Sequence, residues 1–311
     1  MELKLDRFQA LEVFVSVAES GGFAAAGRRL SISPPSVTRI ISGLEEHLGT
    51  ALFVRTTRSV GLTEAGNRFL EDSKRLLSDL QEAEEAAVGS HVTPRGELRI
   101  TAPVLFGGMV VTPILGDYMD MYRQVTARAV FVDRIVNMID EGLDVAIRIG
   151  DLPDSSLIAT RVGMVRRVVF AAPDYLERHG TPTHPDHLKD HKLIDPSAIG
   201  SNPQWTFRDN GRPITMRLSP RLQINTNDAI RDQVARGWGI SRLLSYQIAP
   251  RIADGTVVPL LEAFEPPPQP VHVIHQEGRL ASAKIRSFVD FMVERLRADP
   301  SINQPTRLKR G

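Results

Sequence analysis

The sequence predicts an α/β chain built from a small helical N-terminal domain, one long helix and a larger C-terminal part. Three observations carry this. Apolar residues at helical spacing, a Gly21-Gly22 stop and a Pro34-Pro35 start divide the segment up to Leu48 into three helices. An uninterrupted helical pattern then runs from Thr63 to about Val88. Beyond a linker at Gly89 to Gly96, which contains Pro94, strand and helix patterns alternate.

The first helix carries Phe8, Leu11, Val15 and Ala18 on one stripe. The second runs from Phe23 to Leu30, and Ser31-Ile32-Ser33 makes the turn. Gly27 counts against that second helix, by about 1 kcal/mol relative to alanine. Pro34-Pro35 opens the third helix, where a missing N–H costs least. Its Val37, Ile40, Ile41, Leu44 and Leu48 are expected to face the core, with Pro35, Thr38, Arg39, Ser42 and Glu46 on the opposite side. Ala51 to Arg55 and Ser59 to Leu62 read as a hairpin wing around Thr56-Thr57-Arg58.

Thr63 caps the long helix and Glu64 adds favourable charge to its first turn. Along it Phe69, Ser73, Leu76, Leu80, Ala83 and Ala87 alternate spacings of four and three, a coiled-coil seam. One helix leaves that seam wet. Either a second copy of the chain or its own C-terminal part must cover it, and the dimerisation residues are taken as Phe69, Leu76, Leu80, Ala83 and Ala87.

In the C-terminal part, strands are expected at Leu98 to Ala102, Thr126 to Val132 and Asp144 to Ile149, separated by helices near Gly108 to Tyr122 and Ile135 to Glu141. A second series passes through Arg167 to Ala171, Leu193 to Asp195, Leu222 to Asn225 and a helix opened by Asn227-Asp228, ending near Leu260. The prolines from Pro266 to Pro270 lead into a strand at Val271 to His275 and a last helix, Ala281 to Leu296. The domain boundaries expected are 1–62, 63–90 and 91–300, with one lobe from 97–165 and 270–300, the other from 166–265, and a flexible tail at 301–311.

Composition sets limits on function. Lysine and arginine number 38 against 37 aspartates and glutamates, so the net charge of +1 announces no nucleic-acid binder, and any DNA-binding charge must be local. The absence of cysteine removes disulfide scaffolds, thiolate zinc sites and thiol redox sensing. The first ten residues lack a secretory signal pattern, and no run is apolar enough to span a bilayer, which predicts a cytoplasmic protein.

Two helices around a tight turn, the second presenting small polar groups and an arginine, form the shape that enters a DNA major groove. Arg39 can donate two parallel hydrogen bonds to a guanine edge, Thr38 and Ser42 can reach bases or phosphate, and Pro35 can contact a thymine methyl. Arg55 and Arg58 in the wing suit phosphate or minor-groove contact. With Ser33 and Pro34 at the helix start, these residues are the candidate DNA-binding set. Arg28 and Arg29 are either backbone contacts or ordinary solvated charges.

The residues Phe23-Ala24-Ala25-Ala26, Ser33-Pro34-Pro35-Ser36-Val37-Thr38-Arg39, Gly43-Leu44-Glu45, Leu52-Phe53-Val54-Arg55 and Leu62-Thr63-Glu64-Ala65-Gly66 resemble the LysR-type transcriptional regulators. Leu98-Arg99-Ile100-Thr101-Ala102-Pro103, Asp144-Val145-Ala146-Ile147-Arg148-Ile149-Gly150 and Gly237-Trp238-Gly239-Ile240 resemble that family's effector domain. The resemblance implies a winged helix-turn-helix, a linker-helix dimer or tetramer, and a two-lobed α/β effector domain similar to type 2 periplasmic binding proteins. The partners it implies are operator DNA, a small-molecule effector, other copies of the chain and RNA polymerase, with no membrane, metal or cofactor. A constitutive DNA binder whose effector domain serves oligomerisation is the alternative.

Ligands of open α/β lobes sit beyond the C-terminal strand ends. One lobe offers Thr101, Val104, Leu105 and Phe106 with the amides of Gly107 and Gly108, plus Arg148 and Gly150. The other offers Pro196, Ser197, Thr226 and Asn227. A helix N-terminus with Arg148 suits a carboxylate, and Leu105 with Phe106 an apolar body, so a small organic acid is the expected effector. Trp238 is read as lobe packing. The rival enzyme reading rests on His179, His184, His187 and His191 with Asp186 and Asp190, the cluster that most resembles metal ligands; a transport binding protein is opposed by the N-terminal module.

Overall fold

The computed structural model describes residues 6–55, 60–88, 93–152, 157–196, 203–276 and 282–303; within the elements, the side chains of Arg55, Asp79, Glu82, Ala83, Glu85, Ala86, Ala87, Val88 and Gln276 lie outside this description. The chain divides into two compact units, one up to Val92 and one from Thr93 onward.

The first unit packs α1 (Arg7–Ser20), α2 (Phe23–Leu30) and α3 (Pro34–Leu48) beside an antiparallel hairpin of β1 (Phe53–Arg55) and β2 (Val60–Leu62), then continues into α4 (Glu64–Val88). Asp6 caps α1 by accepting from the amides of Phe8 and Gln9. Ala10, Val13, Phe14, Val17, Val37, Ile41, Leu44, Leu52 and Phe53 form the core. Leu48, expected on the core side, is 39% exposed, because the last turn of α3 has passed the edge of that core before Gly49 ends it in a left-handed conformation.

The glycine that helix propensity counts against α2 is required by the turn that follows. The Ile32 amide donates to the Gly27 carbonyl at 2.9 Å, and a Cβ on Gly27 would stand 2.7 Å from the Ile32 carbonyl oxygen. Steric exclusion therefore outweighs the propensity that alanine would add.

The second unit has two lobes. Lobe I is a five-stranded sheet in the order β4-β3-β5-β14-β6, made of β3 (Gly96–Ala102), β4 (Val125–Phe131), β5 (Val145–Ile149), β6 (Leu157–Val165) and, from near the end of the chain, β14 (Gln269–Gln276). The β3 strand is parallel to β4 and β5, and β14 runs antiparallel to β5 and β6. One face packs on α5 (Val104–Phe106), a π turn (Gly107–Val111), α6 (Thr112–Met121) and α10 (Ala283–Ala298), burying Leu98, Ile100, Tyr118, Ile147, Val273 and Phe288. The other face carries a smaller cluster of Met138, Leu143, Ala146 and Ile274.

Two expectations for this lobe fail. Residues 135–141 are turn rather than helix: the Asn137 side chain accepts from the Ile139 amide at 3.1 Å, and Gly142 closes the turn at a φ of 61°. The chain beyond Asp299 is not free at its start. It forms α11 (Pro300–Asn303), whose Ile302 is buried against Gly163 of β6, where a Cβ would lie 2.6 Å from the Ile302 carbonyl oxygen. Residues 304–311 lie outside the described residues.

Lobe II is centred on β7 (Arg167–Ala171), flanked antiparallel by β12 (Ile240–Leu244) and β13 (Val258–Leu260), with β8 (Ile194–Asp195) parallel to β11 (Leu222–Gln223) and bridged to β12 through Leu193 and Ile240. A hairpin of β9 (Gln204–Asp209) and β10 (Arg212–Arg217) lays Trp205, Phe207 and Met216 over one face. Asn210 and Gly211, both at positive φ, make its turn. Between α7 (Pro173–His179), α8 (Asn227–Ala235) and α9 (Ser245–Ala253), the last two cover the opposite face, and Trp238 packs there with Ile230 and Val234.

The lobes are joined by two crossings, at Arg166 and at Glu265, and these are pinned together. Arg166 Nη1 donates to both Glu265 carboxylate oxygens, at 2.8 and 2.7 Å, and both side chains are largely buried.

Candidate functional site

The N-terminal face is organised by α3. Ser33 caps it, its hydroxyl accepting from the Ser36 amide at 3.3 Å, and Pro34 and Pro35 occupy the first turn. Ser33, Pro34, Pro35, Thr38, Arg39 and Ser42 are all exposed, while Val37, Ile41 and Leu44 anchor the opposite side. Thr38 donates its hydroxyl to the Pro34 carbonyl at 3.1 Å, which leaves that oxygen as an outward acceptor. Arg39 has no ion-pair or hydrogen-bond partner among the described residues. Arg58, and the side chain of Arg55, lie outside them.

Arg29 is exposed but engaged at one end. It pairs with Glu19 at 2.8 Å, and Lys74 of α4 reaches the same carboxylate at 3.1 Å. Burial alone would raise the Glu19 pKa, but the hydrogen bonds from Arg29 and Lys74 prevail and hold it below the usual range. Sequence reasoning missed Glu45. Its Oε1 accepts from the amides of Leu52 and Phe53 at 2.8 and 3.1 Å, which fixes the wing to α3.

The seam on α4 is shorter than its heptad pattern suggests. Phe69 packs on Phe14, ring centroids 5.2 Å apart, and the Ser73 hydroxyl donates to the Phe69 carbonyl at 2.6 Å. Both are taken up within the first unit, because α1 lies against this part of α4. Leu76 is 49% exposed and Leu80 half-buried.

The candidate effector residues divide in the same way. Phe106 is fully buried, edge-on to Tyr246 of α9 at 5.1 Å, so it holds the lobes' packing rather than facing a ligand. Leu105 packs against the same core. The first amide of this helix already has an acceptor, since Val104 N–H donates to Asp133 Oδ1 at 3.0 Å, and the Gly107 amide donates to the Pro103 carbonyl. This N-terminus therefore holds a carboxylate of its own chain. Val104, Pro196 and Thr226 are exposed, Asn227 is half-buried as the first residue of α8, Gly150 is buried at a φ of 109°, and Ser197 lies outside the described residues.

Thr101 and Arg148 behave differently. Thr101 is wholly buried and its Oγ1 has no hydrogen-bond partner; Arg148 Nη2 is buried and likewise unpartnered. Burial, only partly countered by Glu141, lowers the Arg148 pKa. A third atom of this kind, Nδ1 of His272, sits directly across from Arg148 on β14. Native interiors leave few such groups unsatisfied, and a bound water, ion or ligand is one reason for leaving them so. His272 carries no sequence signal, because its meaning comes from neighbours on β3 and β5.

On the lobe II side, Asp195 accepts from Trp205 Nε1 at 2.8 Å, and Arg242 lies over the Trp205 ring at 5.0 Å. Burial, then Arg167, lower the Arg242 pKa to about 9, so it remains a cation at neutral pH. The histidine cluster serves local structure: His184 Nδ1 accepts from the Asp186 amide, His187 Nδ1 from the Thr183 amide, and His179 and His191 flank Tyr175. Among the described residues, no group of three His, Asp or Glu side chains is placed to hold a metal ion.

A winged helix-turn-helix joined by a long helix to a two-lobed α/β domain defines a DNA-binding regulator with an effector-binding domain. Residues 8–67 match the bacterial regulatory helix-turn-helix protein, lysR family, and residues 91–297 match the LysR substrate binding domain. The chain belongs to the LysR family of transcriptional regulators. It is 34% identical over 294 residues to an HTH-type transcriptional regulator of Xanthomonas campestris, covering 92% of this chain and 85% of that one. It is 31% identical over 296 residues to the HTH-type transcriptional activator AaeR of Escherichia coli, with 93% and 95% covered. Among solved structures, CrgA of Neisseria meningitidis superposes with a TM-score of 0.60 at 31% identity, covering 93% of this chain and 98% of that one. No helix among the described residues is long and apolar enough to cross a membrane.

Proposed function

We propose that this regulator binds operator DNA in the cytoplasm as a homodimer or tetramer, through the face of α3 centred on Arg39, and that a small organic acid held near Thr101 and Arg148 modulates that binding at promoters served by RNA polymerase. The observation that carries the DNA reading is Arg39 itself, an exposed guanidinium among Pro35, Thr38 and Ser42 with no protein partner among the described residues. The effector reading rests on the unpartnered Thr101 and Arg148 atoms.

The test is retention of the DNA upstream of the protein's own gene in a mobility-shift titration over salt. Affinity is expected to fall steeply and linearly in log–log form, with sequence preference surviving at each salt. Absence of a sequence-selective shift at every salt concentration would count decisively against the proposal.

Self-association is assigned to the outer part of the α4 seam, with Leu76 as its exposed apolar anchor. Leu76→Lys removes one such anchor from each chain. The dimer dissociation constant is expected to rise on the order of a hundredfold, with no loss of helix content. Sedimentation over a concentration series measures it, and an unchanged constant would move the dimer contact elsewhere.

A further inference from the structure

Two arginines of lobe II share a face without a counter-charge. Arg242 on β12 pairs with Val169 on β7, and Arg167 stands two residues before Val169 on that strand. With a side-chain period of two, both lie on the face that carries Val169, Trp205 and Phe207, one diagonal step apart. Long side chains at diagonal positions of neighbouring strands are within reach of one another, so the two guanidiniums serve one locality.

Arg242 is oriented by its surroundings. Its guanidinium lies over the buried rings of Trp205 and Phe207, at 5.0 and 5.6 Å, and Nη1 donates to the Thr206 carbonyl at 2.9 Å in an exposed setting. Nε and Nη2 have no acceptor among the described residues. Arg167 is exposed, and its side chain has neither a hydrogen-bond nor an ion-pair partner among the described residues. The carboxylates of this region are engaged: Asp195 is buried and accepts from Trp205 Nε1 at 2.8 Å, Glu265 holds Arg166 Nη1, and Glu262 stands 4.0 Å from the same atom. Burial lowers the Arg167 pKa, and burial followed by Arg167 lowers that of Arg242, with Asp195 opposing. Protein therefore crowds both cations at a surface that solvent still reaches.

We propose that Arg167 and Arg242 form an anion site for a phosphoryl group, carried by inorganic phosphate or by a small phosphate ester. A carboxylate's two oxygens lie in one plane and are filled by the fork of a single guanidinium. A phosphoryl group keeps oxygens for a second guanidinium arriving from the neighbouring strand, and its charge of about −1.5 to −2 matches two cations. The site lies in lobe II, apart from Thr101 and Arg148 of lobe I, and does not depend on an organic acid binding there. Arg167 directly follows the crossing at Arg166 that Glu265 pins, so a phosphoryl group at this site acts beside the hinge.

The experiment is calorimetric titration of the full-length, DNA-free protein at constant ionic strength with inorganic phosphate, glycerol 3-phosphate and succinate. At least one of the two phosphates is expected to bind saturably, and more tightly than succinate. Arg167→Met should weaken that binding about ten- to a hundredfold, the range for losing a hydrogen-bonded charged contact. Arg242→Lys, which keeps the charge and loses the fork, should weaken it as well. Arg128→Met removes an exposed guanidinium from lobe I and should leave it unchanged. In Trp238→Phe, where Trp205 is the sole tryptophan, emission should follow the same titration. A preference for inorganic phosphate or for the ester identifies the source, and either supports the site. Succinate binding as tightly as phosphate, with the same dependence on Arg167, overturns the phosphoryl assignment. Absence of saturable phosphate binding, or binding indifferent to Arg167→Met, overturns the site. Arg167→Met alone decides the matter if the Arg242 variant does not fold, because its side chain is exposed and unpartnered among the described residues.

Discussion

Arg39→Ala is expected to abolish the distinction between operator and unrelated DNA while leaving the protein folded. A bidentate arginine–guanine contact is worth about 1–3 kcal/mol of discrimination, and a dimer makes it at both half-sites. The expected loss is about 2–6 kcal/mol, or roughly thirtyfold to twenty-thousandfold in operator affinity. Arg39 is exposed and α3 is anchored by Val37, Ile41 and Leu44 on its other side, so stability should change by no more than about 0.5 kcal/mol. Fluorescence anisotropy with operator and scrambled duplexes over a salt series measures the effect. Equal weakening on both duplexes, with a shallower salt slope, would make Arg39 a phosphate contact instead.

Gly66→Ala is expected to cost the N-terminal unit more than any helix-propensity argument allows. Gly66 lies in the first turn of α4, where alanine would ordinarily gain about 1 kcal/mol. A Cβ there would lie 2.1 Å from the Leu52 carbonyl oxygen and 3.0 Å from its carbon. The same carbonyl accepts from the Thr63 amide at 3.0 Å and the Thr63 hydroxyl at 3.3 Å, and Thr63 Oγ1 in turn accepts from the Gly66 amide at 2.9 Å. Moving Leu52 aside breaks this clasp, and it also disturbs the amides that Glu45 holds. The net destabilisation is expected at about 3 kcal/mol or more. Gly116→Ala in α6 is the control, because no atom stands within 4 Å of its Cβ position. Urea denaturation followed by tryptophan-independent far-UV signal compares the two, and equal midpoints would refute the steric account.

The legible parts of this molecule are those whose signals are local. The order of α1 to α3 could be read from Gly21-Gly22, Pro34-Pro35 and the spacing of Val37, Ile41 and Leu44, because caps and periodicity act within a few residues. The heptad on α4 was equally visible, but periodicity does not say what covers a stripe, and α1 claims Phe69. Residues 135–141 carry a helix-like apolar pattern that loses to the side-chain hydrogen bond of Asn137. The β9–β10 hairpin went unread although Asn210-Gly211 sits between Trp205, Phe207 and Met216 in alternation, a signal that was available. At the candidate effector site, strand ends pointed to Thr101 and Arg148, yet position along the chain could not show that Phe106 points into the core. His272 is illegible in principle: what makes it notable is a register shared with Arg148, more than a hundred residues away in sequence.

The clasp between α4 and the wing also gives α4 a metrical role. With Thr63, Gly66, Phe69 and Lys74 all fastened to the winged unit, the first three turns of α4 move with the recognition helix as one piece. In a dimer, the distance between the two recognition helices is then a ruler whose zero mark is wherever the two long helices cross. Sliding that crossing by one heptad shifts it about 10 Å along the helix axis, against about 34 Å between half-sites one DNA turn apart. Under the proposed function, operator spacing would then be set by a few apolar side chains that never approach a base.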